Sequence, residues 1–356
     1  MTNIRSEAME RTFTLSCPLP VTHHKTIVLG HGSGGRLTAQ LIGDLFLPAF
    51  DNAILRKMED QAVVDVGGAR IALTTDSFVV TPIFFPGGNI GDLAVNGTVN
   101  DLAMSGATPL YLSAAFIMEE GFPMEELRQV VAAMARAAAE AGVSIVTGDT
   151  KVVNKGSADK LFVTTTGIGL VPEGVSISAA NARPGDRILL SGTIGDHGMA
   201  VMSKREGLEF EGEIVSDTMP LHRLVAAMLG AGEIHTLRDP TRGGLATTIC
   251  EIANTSGTGI EIDVNRIPVR EEVKGACEML GLDPLFVANE GKLVAFVPPE
   301  RAEAILEAMR GTPEGRDAVL IGHVTGDHPG MAVLKTEIGG TRILDLPFTE
   351  QLPRIC

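Results

Sequence analysis

The 356-residue sequence has no tryptophan, one tyrosine and only 4% aromatic residues. Stacking on bases or sugar rings is thereby excluded as a main binding strategy, and the core has to be built from Val, Ile, Leu, Ala and Met. Basic residues are also scarce: 29 Lys and Arg stand against 44 Asp and Glu, a net charge of −15, without a basic run. That balance argues against nucleic acid and anionic membranes as partners. The four cysteines, at 17, 250, 277 and 356, show no CxxC spacing. This removes a cysteine-only zinc site and a disulfide framework, and fits a reducing cytoplasm. No apolar run approaches the roughly 18 residues of a membrane helix. The start, MTNIRSEAMERTFTLSC, is charged throughout and lacks the apolar stretch of a signal peptide. A cytoplasmic location is expected. A GxxxxGK[ST] phosphate loop is absent, so a Walker-type nucleotide site is excluded.

What is present describes a two-domain globular chain: 44% hydrophobic residues, 21% charged, 41 Gly and 19 Pro. Residues 1–22 are polar and unpatterned and read as a flexible extension. Leu37, Leu41, Ile42, Leu45 and Phe46 fall at helical spacing over 33–50. AVVDV (62–66) and RIALTT (70–75) flank two glycines and read as a hairpin. A helix over 89–106, a strand PLYLSAAFIM, a helix from Pro123 to Gly142 and two further strands complete a first domain, 23–171. The turn-rich stretch 171–187 marks the boundary. A second mixture of helices and strands fills 172–337, so the expected class is α/β and α+β in two domains. Residues 338–356 show no period and read as a mobile tail.

Several acids sit at the ends of these elements: Asp60 before AVVDV, Asp76 after IALTT, Asp101 in NDLAMSG and Asp149 after IVTG. Ligands gather at strand ends in α/β folds. Carboxylates converging there suit a hard cation, which usually arrives with phosphate. Asp92, Asn96 and Asn100 recur every fourth residue and form one polar stripe; the apolar residues around it shift the reading from a solvated face to a buried one. HGSGG, GTIGDHG and DPTRGG are glycine clusters that can turn N–H groups toward phosphate, although such a cluster is usually a plain turn. Lys151 in GDTKVV is a candidate partner for a phosphate or carbonyl, although a lone Lys is nearly always a surface residue. Glu290 in ANEGK can act as a base, although a turn residue is the default.

Cys250 and Cys277 fall on apolar helix faces and read as small core residues. Cys356 differs, because it ends the chain in LPRIC. A terminal thiol packs poorly beside a free carboxylate, and a prenylation box needs three residues after the cysteine. An extended tail from 338 would reach roughly 60 Å, enough to carry a thiol between two sites.

Taken in order, HGSGG, EDQAVV, LTTDSFVVTPIFFPGG, NDLAMSGATP, GDTKVV, DPTRGGLA, NEGK and the terminal PRIC resemble the HypE family of hydrogenase-maturation carbamoyl dehydratases, over residues 25–356. The resemblance implies a PurM-like fold: an N-terminal domain, 23–171, that forms a dimeric β-barrel, a C-terminal α+β sandwich, 172–337, and a mobile tail. It implies ATP and Mg²⁺ as cofactors, a carbamoyltransferase (HypF) and a HypC–HypD complex as partners, and a homodimer. The implied chemistry is ATP-dependent dehydration of a carboxamide on Cys356 to a thiocyanate, the source of the cyanide ligands of [NiFe]-hydrogenase. On that reading Cys356, Glu290 and Lys151 are catalytic, and Asp60, Asp76, Asn96, Asn100, Asp101 and Asp149 contact the nucleotide. The metal falls to Asp60, Asp76, Asp101, Asp149 and Asp239. Relatives often carry a DDAAV-like pair where this chain has Glu59-Asp60-Gln61, and Glu59 is placed outside the site. A small-molecule kinase or synthetase of the same superfamily would not need Cys356. A metal carrier would need clustered soft ligands, which the scattered cysteines do not supply.

Overall fold

The computed structural model describes residues 24–208, 212–336, 339–347, 352 and 354–356. The polar extension 1–22, with Cys17, lies outside them.

The first domain is a five-stranded sheet in the order Ala62–Val66, Ala69–Phe78, Leu161–Leu170, Thr108–Glu119, Ser144–Val153. All neighbours are antiparallel except the last two, which are parallel. A parallel pair needs a crossover, and the helix Met124–Ala141, opened by Pro123 and closed by Gly142 at φ 68°, supplies it. The helix Ile90–Met104 lies against the same face. Its start is fixed reciprocally: Asn89 Oδ1 accepts from the Gly91 N–H at 2.8 Å, and Asp92 Oδ2 accepts from the Asn89 N–H at 3.0 Å. It approaches the sheet so closely that a Cβ on Gly167 would stand 2.7 Å from Thr98 and 2.9 Å from Leu102. Thr165 donates to the Ala94 carbonyl at 2.9 Å in the same gap. Asn96 and Asn100 are buried and Asp92 is half-buried, so the polar stripe is interior except at its first residue.

The second domain is a seven-stranded mixed sheet, ordered Thr341–Leu344, Ala332–Lys335, Gly259–Asp263, Val319–Thr325, Arg187–Leu190, Val294–Val297, Thr236–Arg238. Its central strands are apolar without alternation because both faces are covered. Ile188, Leu190 and Phe296 pack toward the helix Gly244–Ser256. Leu189, Ala295 and Val297 pack toward the helices His222–Ala231 and Ala302–Arg310. Ala103 and Met104, ending the first domain's central helix, belong to this latter cluster, so the two domains share a core.

One reading is extended and one is corrected. The described residues of the tail are seen seated against both domains. Thr341–Leu344 pairs antiparallel with Ala332–Lys335, and Arg354–Cys356 runs beside the first domain. The pairing joins residues close in sequence, but the strand it extends is itself parallel to Gly259–Asp263, a long-range partner that no local period reports. Asp149 is not at a strand end: the strand continues to Val153, because Val152 and Val153 extend the run after the charged residues.

Candidate active site

The two domains meet around a cavity of about 250 Å³. Asp76 enters it from the strand Ala69–Phe78, Asp101 from the helix Ile90–Met104, and Asp60 from the segment leading into the first strand. The second domain contributes Asp239 and Arg242 from the turn before Gly244–Ser256, and Glu290 from the loop before Val294–Val297. The chain terminus supplies Cys356.

Most of these acids are held above their ordinary pKa. Burial raises Asp101, and the charges of Asp76, Asp239 and Asp60 add to it. Asp239 is raised by burial and then by Asp60. Glu290 is raised by burial and then by Asp239, Asp76 and Asp217. Asp76 is raised by burial against the opposing pull of Arg242. Arg242 is the one cation among the described residues lining the cavity. Five carboxyl groups facing one guanidinium leave a deficit of positive charge. Among the described residues no three acids, histidines or cysteines stand close enough to hold a metal by themselves. Mg²⁺ commonly takes one or two carboxylates and completes its shell with water and substrate phosphates, so the donor set fits a cation that arrives with phosphate. Arg238 occupies one oxygen of Asp60.

Glu290 is clamped at its backbone and free at its side chain. Its N–H donates to Asp217 Oδ1 at 3.0 Å, and its carbonyl accepts from Asn100 Nδ2 at 3.1 Å. Asp217 Oδ2 lies 3.3 Å from Lys292 Nζ, both buried. Asn289 takes the N–H of Gly195 at 2.7 Å and donates to the Pro240 carbonyl at 2.8 Å, fastening the same loop. Glu290 Oε1 is buried without a partner. An orphaned buried acid is costly in structure and useful in catalysis, since it remains available to a substrate proton. The Cys356 thiol is pushed up to about 12, first by burial and then by Glu290, with Arg242 opposing.

Asp60, Asp76, Asp101, Asp239, Glu290 and Cys356 are thus brought together. Asn96 and Asn100 do not line the cavity. Asn100 instead braces the chain, donating also to the Met219 carbonyl at 3.1 Å and accepting from the Leu221 N–H at 2.8 Å. Asn96 donates to Thr218 at 3.3 Å. Asp149 and Lys151 stand elsewhere in the chain, paired at 2.5 Å on the exposed edge strand Ser144–Val153. Asp149 lines a different surface depression, with Ala114 and Met134. Glu59 does not line the cavity; it accepts from Ser178 Oγ at 2.5 Å and from the Ala179 N–H at 3.1 Å. Arg242 and Asp217 were missed. The DPTRGG motif contained the signal for Arg242, whereas Asp217 sits in no recognisable motif.

The sequence matches the AIR synthase related protein families, the N-terminal domain over residues 58–171 and the C-terminal domain over residues 183–335. It is 56% identical to the carbamoyl dehydratase HypE of Azotobacter vinelandii over 332 residues, 93% of this chain and 97% of that protein. Among solved structures, a HypE–HypF complex aligns at 54% identity and a TM-score of 0.82, covering 86% of this chain and 99% of that one. HypE in complex with ATP aligns at 52% identity and 0.79, covering 93% and 100%.

Proposed function

We propose that this chain, which belongs to the carbamoyl dehydratase HypE family, carries its own substrate on Cys356 and dehydrates it in the interdomain cavity at the expense of ATP. The observation that carries the reading is the terminal cysteine, half-buried in a cavity that also holds Glu290, Arg242 and four further acids.

The chemistry asks for those groups. A carboxamide oxygen is a poor leaving group. Transfer of the γ-phosphoryl group of ATP to that oxygen releases ADP, and the carbon–oxygen bond then breaks with phosphate departing. Both protons leave the amide nitrogen and a C≡N bond remains on sulfur. Glu290, buried with a free oxygen, receives a proton from the nitrogen. Arg242 faces the charge that develops on the transferred phosphoryl group. One or two of Asp76, Asp101, Asp239 and the remaining oxygen of Asp60, with the substrate phosphates, would hold Mg²⁺, which supplies charge neutralisation across the phosphates. The carboxamide donor is a HypF-type carbamoyltransferase, in keeping with the solved complex of a relative, and the cyano group passes to iron on a HypC–HypD complex in the cytoplasm.

Lys151 and Asp149 act in a homodimer, reaching the cavity of a second copy. The edge strand that bears them is exposed along nearly its whole length, Val146 at 60% and Val152 at 69%. The face of the sheet opposite the two helices presents Leu73, Tyr111, Ile117, Ile168 and Leu170. An uncovered sheet edge and apolar face of this kind call for a covering partner, and closure of two such sheets gives the expected barrel.

Mass spectrometry of the C-terminal peptide, after incubation with the carbamoyltransferase and ATP, tests the function. Gain of one carbamoyl group and then loss of one water is expected, with both absent in Cys356→Ala. Either mass change persisting in Cys356→Ala overturns the reading.

A further inference from the structure

The GTIGDHG motif stands apart from the groups that perform the reaction, yet it ends on the chain terminus. The last three residues lie alongside Val79–Thr81, entered through Arg354 at φ 53°. The Val79 N–H donates to the terminal carboxylate of Cys356 at 3.1 Å, and the Thr81 N–H donates to the Arg354 carbonyl at 3.2 Å. The Arg354 and Cys356 oxygens both accept from Val79–Thr81, while the Ile355 carbonyl between them is met by a different group. A terminal edge would leave that carbonyl without a partner in a buried place. His197 Nε2 stands 2.9 Å from it.

We propose that His197 is the positioning residue that seats the terminal segment, and thereby aims Cys356 into the carboxylate cavity, through a hydrogen bond to the backbone of Ile355. The inference rests on the reading that Cys356 is the reacting residue.

The surroundings of the ring fix its role. A carbonyl can only accept, so Nε2 carries the hydrogen. Burial lowers the pKa of this fully enclosed imidazole, against the charge of Asp217 and the Ile355 bond, and the neutral ring then has a lone pair on Nδ1. Ser216 Oγ, 2.8 Å from Nδ1, donates to it and accepts from the Thr218 N–H at 3.2 Å. Ser216 is itself fixed, its N–H donating to the Pro86 carbonyl at 2.8 Å. The Phe85 ring meets the imidazole edge-on, with centroids 5.4 Å apart. Ring orientation is therefore held by Ser216 and Phe85, and the Ile355 carbonyl selects the tautomer. The bond is made to the main chain of residue 355, so it is indifferent to what the neighbouring sulfur carries. The thiol and its modified forms are seated alike, and Ile355, 3% exposed, adds an apolar anchor.

The test uses the full-length protein without ATP or carbamoyl donor. Iodoacetamide is added and each cysteine is followed by peptide mass spectrometry. His197→Phe fills the place beside Phe85 but has no donor. Its Cys356 should alkylate about fivefold faster than in the wild type, the factor that one net hydrogen bond contributes, while buried Cys277 is unchanged. His197→Gln can place an amide N–H where Nε2 stands, and should restore most of the protection. With the carbamoylated protein and ATP, conversion to thiocyanate should slow by the same factor in His197→Phe and recover in His197→Gln. Equal Cys356 rates in wild type and His197→Phe overturn the proposal. So does a rise at Cys277 in step with Cys356, or a glutamine variant that behaves like phenylalanine. Failure of the dehydratase reading shows differently, as a wild type that forms no thiocyanate while the alkylation pattern stands.

Discussion

Two groups of charged residues that look alike in the sequence occupy opposite environments in the fold. Asp76, Asp101, Asp239 and Glu290 are drawn into one buried cavity, where desolvation and mutual repulsion raise their proton affinity. Asp149 and Lys151 sit in water on an edge strand, and the hydrogen bond from Lys151 lowers the Asp149 pKa. The first group is a set of acids waiting for positive charge, and burial creates that demand. The second is already neutral as a pair and contributes little to stability. Its place on an unpaired edge makes it available to another surface. Environment, rather than residue type, separates an internal binding site from an external one.

The comparison is broken most severely at Glu290. Replacing it with Gln keeps the shape and removes the base, and conversion of the carbamoylated tail should fall roughly 10³-fold, within the range of general-base loss. ATP affinity, measured by calorimetry, should stay within about twofold, a difference of roughly 0.4 kcal/mol. Normal conversion by this variant would remove Glu290 from the mechanism.

Next in size is the Asp76→Asn, Asp101→Asn double variant. Two of the buried acids lose their charge, so affinity for ATP with Mg²⁺ should drop about 100-fold, or some 2.7 kcal/mol. The wild type with excess chelator should bind as weakly. Affinity that survives both would mean that the cavity acids do not take the cation.

The seated thiol gives a pH test. Its pKa is raised from an ordinary 9.0 to about 12 by burial, by Glu290 and by Asp76, against Arg242. A group whose pKa is raised in the seated state favours seating below its free value, and that contribution is lost as pH climbs from 9 toward 12. Alkylation of Cys356 should therefore keep rising, by about tenfold between pH 9.5 and 10.5, where a free thiol levels off. A plateau there would show that the sulfur is not buried in solution.

The smallest effect sharpens the edge-strand side. Lys151→Ala and Glu290→Gln chains, each inactive, are mixed and allowed to exchange. Random pairing makes about half the dimers mixed, and if Lys151 serves the partner's cavity each mixed dimer has one intact site, for about a quarter of wild-type activity. Activity that stays at the level of the separate variants would place Lys151 outside the partner's site.

Local pattern alone determined much of this protein. The Asn89–Asp92 cap and the apolar run after it specify the helix Ile90–Met104, and two glycines between β-branched runs specify the hairpin ending at Phe78. The motifs containing Asp60, Asp76, Asp101, Asp239 and Glu290 were also legible, as was the oddity of a cysteine in last place. Tertiary structure decided which of these residues meet. Asp149 carries the same kind of motif as Asp76, but its strand pairs on one side only, which keeps it out of its own chain's cavity. The tail shows no period, and the partners of its described residues lie outside it: Thr341–Leu344 pairs with Ala332–Lys335, and the Ile355 carbonyl meets His197, 158 residues earlier. A side chain's propensity is written in its neighbours along the chain. The partner of a buried hydrogen bond or charge is set by whichever distant segment folding brings opposite it, and a single sequence carries no local trace of that choice.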